Sequence, residues 1–238
     1  MRDSIYPQLL ENRLLVWRFS IPPLSSIEFF ITSFLNRDEK ERADLFYFEK
    51  DRGCYIFCRG LLRIMIGKCL GLDPSSITFS YASYGKPFIN GNALNFNLSH
   101  SASHAAFVFS LKTAVGIDIE TPRPLSFESS IVANYFSPAE REYITQAGDQ
   151  RAFFRCWTRK EALLKALGIG IGSGLHRLKQ ISCLNEVVEI ETSEGNGIWK
   201  NWRVETLDVT SQYAWGLAYE GEPKEITINE HDSWENFI

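Results

Sequence analysis

Residues 94–120 read LNFNLSHSASHAAFVFSLKTAVGIDIE and hold the clearest fold signal in the chain. Three stretches, Leu94–Leu98, Ala105–Leu111 and Ala114–Glu120, are short, alternate between polar and apolar residues, and are separated by small or polar residues. This pattern is typical of neighbouring strands in a small sheet. We therefore expect a sheet at the centre of the chain, flanked by helices on either side.

Helix signals lie before and after this strand region. Between Asp51 and Leu70 the residues of one helical face recur at helical spacing, and Gly71 ends the pattern. That face is formed by Cys58, Leu61, Leu62, Met65 and Cys69. Ser137 begins a capping box with Pro138 at the first helical position. A further helix is predicted from Gln150 to Leu167, where Gly168 ends it.

The remaining elements complete an α+β architecture. We expect an edge strand at Leu14–Phe19, helices at Ser25–Leu35 and Arg37–Phe48, a strand at Ile77–Tyr81, a turn at 168–174, and an antiparallel sheet from Ile181–Glu191, Trp202–Leu207 and Tyr213–Tyr219. Each half then has helices and a small, largely antiparallel sheet. The predicted subdomains are residues 1–114 and 115–238, meeting near Thr113–Gly116.

Composition narrows the class of protein. The chain has 238 residues, of which 45% are hydrophobic and 23% charged, as in ordinary globular proteins. Five cysteines without a CxxC pair predict reduced core thiols in a cytoplasmic protein. A net charge of −4 argues against a general nucleic-acid binder. No apolar run is long enough for a membrane span, and no signal peptide is expected.

The first candidate for chemistry is Val115–Glu120. On a strand, alternate side chains share a face, so Asp118 and Glu120 point together away from the core, with Gly116 leaving open space beside them. Two such carboxylates form half of a site for a hard cation such as Mg²⁺. The competing interpretation is a solvated strand face with ordinary acidic residues.

The second candidate is Trp157–Lys165. Trp157, Glu161 and Lys165 lie four residues apart and share one side of a helix. Glu161 can ligate a metal or accept a proton, and Lys165 can neutralise developing negative charge. The competing interpretation is a stabilising surface Glu–Lys pair. An arginine stripe on about the opposite side is interpreted as a solvated face; it consists of Arg151, Arg155 and Arg159.

Two further segments offer donors to phosphate oxygens. Ser99, His100 and Ser101 follow a strand signal and can donate from side chains and turn amides. A serine nucleophile is disfavoured because no GxSxG elbow is present. The turn at Tyr84–Pro87 would present Lys86 to a phosphate, although turn lysines are usually only solvated. A structural histidine is the competing interpretation for His100.

In combination these segments resemble a known family. The ordered motifs, YGKP at 84–87, FNLSHS at 96–101, VGIDIE at 115–120 and WTRKEALLK at 157–165, resemble the Sfp-type 4′-phosphopantetheinyl transferases. The resemblance runs from about Glu39 to Gly174 and includes DRGCYIFCRGLLR at 51–63. It implies two pseudo-symmetric α+β subdomains that hold coenzyme A in the cleft between them.

The resemblance also implies residue roles. Asp118, Glu120 and Glu161 would surround Mg²⁺ bound to the coenzyme A pyrophosphate. Glu161 would take the proton of the attacking serine, with Glu120 or a metal-bound water as alternatives, and Lys165 would stabilise charge. The residues implied at the coenzyme A phosphates are Lys86, Ser99 and His100, together with Lys40 and Arg42 at the 3′-phosphate. A basic residue that family members often carry near Cys54 is absent.

The implied reaction moves phosphopantetheine from coenzyme A to a serine of an apo carrier protein and releases 3′,5′-ADP. The carrier could be of the acyl, peptidyl or polyketide class, and the enzyme is expected to be a monomer. Phe127, Tyr135 and Phe136 could supply apolar docking contacts, although core aromatics are the stronger interpretation. Two alternatives stay open: a non-catalytic module that binds coenzyme A or a carrier, and an unrelated Mg²⁺-dependent hydrolase.

Overall fold

The computed structural model describes residues 12–91, 94–124, 128–191, 199–207, 212–232 and 234–235. Its elements in chain order are β1 (Arg13–Ser20), α1 (Leu24–Thr32), α2 (Arg37–Asp44), α3 (Glu49–Leu70), β2 (Ser80–Tyr81), β3 (Pro87–Phe88), β4 (Leu94–Ser101), β5 (His104–Leu111), β6 (Val115–Glu120), α4 (Glu128–Tyr135), α5 (Pro138–Ala147), α6 (Gln150–Leu167), α7 (Ile171–Arg177), β7 (Val187–Glu191), β8 (Trp199–Thr206), β9 (Ala214–Glu220) and β10 (Glu225–His231). Within these ranges, no helix is both long and apolar enough to cross a bilayer.

Two four-stranded sheets organise the chain. The first has the strand order β10-β1-β5-β4 and the second β6-β9-β8-β7, while β2 and β3 form a small hairpin. Neighbouring strands run antiparallel except β1 and β10, which are parallel. The predicted α+β class with small, largely antiparallel sheets is confirmed. The subdomain boundary at 114/115 stays a prediction; it falls between strands of different sheets, and β10 returns from the chain's end to the first sheet.

Strand β1 lies inside its sheet, so the predicted edge strand at Leu14–Phe19 is wrong. β1 pairs with β10 on one side and β5 on the other. Its two faces enter different cores: Leu15 and Trp17 pack on the side of α3, while Leu14 and Val16 pack against the strands of the second sheet. A strand buried on both faces is apolar throughout, and that is why the sequence shows a continuous apolar run.

Helix α3 confirms the predicted helix and ends at Gly71, whose φ of +67° closes it in the left-handed conformation. Arg63 is fully buried in it and donates to Glu39 at 2.7 Å. The same guanidinium donates to the Ile77 carbonyl at 3.0 Å. The predicted strand at Ile77–Tyr81 is shorter in the structure and begins at Ser80, because its partner β3 is only two residues long and pairs with Ser80 and Tyr81 alone.

The glycine-rich segment 168–174, predicted as a turn, contains the first residues of helix α7. Glycine disfavours a helix by its backbone entropy, but packing outweighs that cost here. Leu175 and Leu178 are buried against the apolar side of α6, within one core cluster that includes Leu164. The local composition of segment 168–174 does not show that the residues after it pack against α6.

The predicted capping box of α5 is present and extends into a buried ion pair. Ser137 Oγ accepts from the Glu140 amide, and Glu140 Oε2 accepts from the Ser137 amide at 2.8 Å. Glu140 also lies 3.0 Å from Lys160 Nζ, with both side chains fully buried. Lys160 donates to the carbonyls of Leu178 and Ile181, so every charge in the network has partners.

We expect Lys160→Met to lower the free energy of unfolding by about 3–5 kcal/mol, because the Glu140 carboxylate would stay buried without its cation. Urea unfolding followed by circular dichroism measures the change. Lys200→Met is the matched control, since Lys200 forms an exposed pair with Glu220 at 2.8 Å and should cost about 1 kcal/mol or less. Equal losses in the two variants would contradict the structural importance of the buried pair.

Candidate active site

The edges of the two sheets meet where β4 runs beside β6. Ser99 Oγ donates to Asp118 Oδ1 at 2.8 Å, and Ser101 Oγ donates to Glu120 Oε2 at 2.7 Å. Every second residue of each strand takes part, as the alternation of strands requires. The two carboxylates therefore face β4, and the interpretation of Val115–Glu120 as a solvated strand face is wrong. Ser99 and Asp118 are buried.

Helix α6 lies directly on β6 and β9 because two glycines leave no side chain in the way. A Cβ added at Gly116 would collide with the Ala162 carbonyl oxygen, and one added at Gly216 would collide with the Thr158 carbonyl. Gly216 is the register partner of Asp118. The open space that we predicted beside Gly116 is thus occupied by the backbone of α6.

This contact brings two residues of α6 to the carboxylates of β6. Lys165 Nζ donates to Asp118 Oδ1 at 2.7 Å and to Ser99 Oγ at 2.9 Å. Glu161 lies one turn earlier and is only 4% exposed. The interpretation of Glu161 and Lys165 as an ordinary surface pair is therefore wrong. Trp157, on the same side of the helix, stacks in the aromatic core with Phe153 instead.

The surroundings of Glu161 disfavour the charged form of its carboxyl group. Its pKa is raised to about 7, first by burial and then by the nearby carboxylates of Asp118 and Glu120, against the lowering effect of Lys165. Burial also raises the pKa of Asp118, although Lys165 and Ser99 partly offset it. Like charges held this close favour either a shared proton or a bound cation.

The carboxylate oxygens of Asp118, Glu120 and Glu161 are suitable ligands for a hard cation. Three carboxylates interact, and Asp118 Oδ2 is buried with no hydrogen-bond partner among the described residues. Oxygen ligands of this kind suit Mg²⁺. Within the described ranges, however, no three acidic, histidine or cysteine side chains are gathered tightly enough to form a ready-made metal site. Lys165 Nζ holds Asp118 Oδ1, so a cation would have to compete with this ammonium.

A cavity of about 380 Å³ opens between α2, α3 and the end of β4. Arg42 and His100, both predicted for coenzyme A, line this cavity. Lys50 and Arg59 also line it, and Arg59 Nη1 is buried without a hydrogen-bond partner among the described residues. Tyr55 lies in the same wall, with the Arg42 guanidinium 5.5 Å from its ring centroid. Asp51 also lines the cavity, but the three basic side chains outnumber this carboxylate, so the cavity is cationic and partly aromatic and suits an anionic ligand.

Lys50, Cys54 and Arg59 were not predicted as site residues, yet all three line the cavity. Lys50, Cys54 and Cys58 recur at intervals of four residues, so helical periodicity could have placed them on one face of α3. The side chain of Arg59 is anchored 3.5 Å from Glu39 and reaches the same cavity. What no local pattern shows is that this face meets the end of β4 at His100.

Lys86 and Lys40 lie apart from this cavity. Lys86 Nζ donates to the carbonyls of Val115 at 2.9 Å and Ala166 at 3.1 Å, and burial lowers its pKa to about 8. It ties the turn before β3 to β6 and to the end of α6, so it is not a merely solvated turn lysine. Lys40 is exposed on α2.

The structure tests two predictions about surface residues, the solvated arginine face and the apolar docking contacts. Arg159 is buried and donates to the carbonyls of Cys183, Asn185 and Val204, so the solvated arginine face is wrong for this residue. Its partners lie in the segment before β7 and on β8, far along the chain. Phe136 is a fully buried core residue, as the stronger interpretation held. Tyr135 is partly buried and packs on the same cluster, and Phe127 lies outside the described residues.

Two family models match adjacent parts of the chain. The family model described as the 4′-phosphopantetheinyl transferase superfamily matches residues 114–218. The model described as 4′-phosphopantetheinyl transferase, N-terminal, matches residues 22–111. The two matches meet at the junction of β5 and β6, beside the carboxylates of β6.

Named relatives cover most of the chain. The 4′-phosphopantetheinyl transferase HetI of Nostoc sp. is 38% identical over 170 residues, which are 68% of this chain and 72% of that protein. The transferase Sfp of Bacillus subtilis is 28% identical over 82% of this chain and 88% of its own length. The L-aminoadipate-semialdehyde dehydrogenase-phosphopantetheinyl transferase of Schizosaccharomyces pombe is 25% identical over 91% of this chain and 86% of its own length. The chain therefore belongs to the 4′-phosphopantetheinyl transferase superfamily and is a transferase enzyme.

Proposed function

We propose that this transferase moves the 4′-phosphopantetheine group of coenzyme A to a serine of an apo carrier protein and releases 3′,5′-ADP. The observation that carries the proposal is the convergence of Asp118, Glu120, Glu161 and Lys165 from two elements, next to a cationic cavity. A non-catalytic binding module would not need a buried carboxylate with a raised pKa beside a lysine. Family membership supports the transfer itself.

The cationic cavity is the proposed binding site for the nucleotide end of coenzyme A. Arg42, Lys50, Arg59 and His100 all line it, so several positive groups can face a phosphate. Arg59 Nη1 offers an unpaired donor for that purpose. A planar guanidinium recognises phosphate by paired hydrogen bonds, which favours Arg59 as the main anchor in place of the absent basic residue near Cys54.

The other predicted coenzyme A contacts stay predictions. Ser99 would have to share its hydroxyl between Asp118 and a phosphate, and Lys86 would have to leave its two carbonyls to reach one. Lys40 can approach the 3′-phosphate only from the exposed side of α2. We therefore rank these residues below Arg42 and His100 in the proposed nucleotide site.

Asp118, Glu120 and Glu161 are the proposed ligands of Mg²⁺. When bound, the ion would supply positive charge to the pyrophosphate of coenzyme A and to the leaving group. The raised pKa values of Glu161 and Asp118 support this role, because repulsion among buried carboxylates favours a cation among them.

Glu161 is the proposed base for the carrier serine. A carboxyl whose pKa is about 7 is partly charged near neutral pH and can accept the serine proton. The serine oxygen then attacks the β-phosphate, and the phosphoanhydride bond to 3′,5′-ADP breaks. Lys165, held by Asp118 and Ser99, is placed to stabilise the negative charge that builds on the phosphoryl oxygens.

The partner is proposed to be an apo carrier of the acyl, peptidyl or polyketide class. The chain is acidic overall, with a net charge of −4, so an acidic carrier would need a local basic or apolar surface to dock. A monomeric state and a cytoplasmic location also stay predictions.

We expect Glu161→Gln to reduce transfer by about 100-fold or more, because the amide can neither accept the proton nor hold a cation. Intact-mass spectrometry of an apo acyl carrier protein, incubated with coenzyme A and Mg²⁺, measures the mass gained. EDTA should abolish the gain in the parent protein, and excess Mg²⁺ should restore it.

Glu142→Gln is the matched control, because Glu142 is an exposed residue of α5 that hydrogen-bonds Gln146. It should transfer at the parent rate. Parent-like transfer by Glu161→Gln would refute the assigned role of Glu161. Coenzyme A binding without transfer to any of several carriers would favour the non-catalytic module.

The pKa of Glu161 also predicts how stability depends on pH. The unfolded chain releases this proton near pH 4.5, whereas the folded protein keeps it to about pH 7. The folded state thus binds more protons in this window, so the group's contribution to stability falls as pH rises through it. In urea unfolding with EDTA, the parent should lose stability relative to Glu161→Gln between these pH values. Parallel curves for the two proteins would contradict the raised pKa.

A further inference from the structure

Cys54 differs in its surroundings from the other four cysteines. All five lie within the described residues; Cys58, Cys69, Cys156 and Cys183 are buried, whereas Cys54 is partly exposed. Its side chain lines the cationic cavity together with His100. Cys58 also lines the cavity but is buried, so Cys54 is the more exposed of the two thiols that a small molecule entering this cavity would meet.

Cys58, one turn later on α3, and His100, at the end of β4, line the cavity together with Cys54. Hydrogen bonding to Cys58, and to a lesser extent to His100, lowers the pKa of Cys54 despite burial and the opposing charge of Asp51. The same contact raises the pKa of His100, and the pKa of Cys58 is raised as well. Among the thiols of this cavity, Cys54 is therefore the more readily deprotonated.

The remaining cysteines lack these features. Burial raises the pKa of Cys69, Cys156 and Cys183 to about 12 in each case. Because the thiolate is the nucleophilic form of cysteine, these thiols are inert in the folded protein. The cations Arg42, Lys50 and Arg59 in the cavity wall would in addition attract an anionic reagent to Cys54.

We propose that Cys54 is a modification site, at which low-molecular-weight disulfides form a mixed disulfide that occupies the cationic cavity. The Cys54 sulfur attacks one sulfur of the disulfide, a new S–S bond forms, the original S–S bond breaks, and the second half leaves as a thiolate. Any proton on the Cys54 sulfur passes to His100. A reducing thiol reverses the exchange. That the occupied cavity also excludes the nucleotide of coenzyme A rests on the function proposed above.

The test uses the folded, full-length protein and 5,5′-dithiobis(2-nitrobenzoate), an anionic aromatic disulfide. We expect one thiol per chain to react rapidly, and peptide mass mapping of the labelled parent to place it at Cys54. Cys54→Ser should lower the initial rate by about tenfold or more, as expected when an activated thiolate is removed. Cys69→Ser, on the same helix but buried, should keep the fast reaction.

Labelling that maps to another cysteine, or a fast reaction that persists in Cys54→Ser, would overturn the proposal. Because mapping is done on the parent, a folding defect in the variant cannot hide the answer. Pre-incubation with 3′,5′-ADP should slow the labelling of the parent several-fold. Fast labelling of Cys54 that 3′,5′-ADP leaves unchanged would uphold the thiol site and overturn the placement of the nucleotide in this cavity.

Loss of transfer should follow the labelling of Cys54 and should reverse with dithiothreitol. The activity of Cys54→Ser, at whatever level it starts, should not respond to the reagent. Full transfer by a completely labelled parent would show that modification does not block coenzyme A.

Discussion

The backbone contact between α6 and the strands β6 and β9 is the constraint on which the site depends. Helix and sheet usually keep a layer of side chains between them, but here Gly116 and Gly216 remove that layer. The helix therefore lies close enough for Lys165 to reach Asp118 at 2.7 Å. Any residue with a Cβ at either glycine would lift the helix from the strands and separate the two halves of the site.

A second contact holds the two sheets edge to edge. Asn97 Oδ1 accepts from the Ile117 amide at 2.9 Å, and the serines of β4 donate to the carboxylates of β6. Edge strands otherwise expose unpaired polar groups, so side chains of β4 substitute for the missing strand partner. The same bonds fix the orientation of Asp118 and Glu120. The interface between the sheets thus positions Asp118 and Glu120, and α6 brings Glu161 to the same site.

The sequence predicted the parts of this site that follow from periodicity. Strand alternation put Asp118 and Glu120 on one face, and helical spacing put Glu161 and Lys165 on one side of α6. The sequence pattern did not predict which distant segments of the chain come into contact. Arg159 was expected to be solvated because helical spacing does not show that carbonyls before β7 and on β8 surround it. The reactive setting of Cys54 likewise depends on His100, which lies on a different element.

The positions of β1 and Lys86 also depend on contacts between distant segments. The apolar run of β1 is typical of a strand buried on both faces, and its pairing with β10 and β5 shows that it lies inside the sheet. Lys86 has the sequence context of an exposed turn, yet its ammonium donates to two carbonyls across the junction of the sheets. In both cases the deciding contact joins residues that are far apart along the chain.

The most direct test of this account is Gly116→Ala, compared with Gly172→Ala, since a Cβ at Gly172 meets nothing within 4 Å. Thermal unfolding and phosphopantetheine transfer to an apo carrier would be measured for both variants and the parent. The account predicts that Gly116→Ala loses both stability and transfer, while Gly172→Ala keeps both. A Gly116→Ala variant that matches the parent in melting temperature and transfer rate would contradict the claim that close contact of α6 with β6 builds the site.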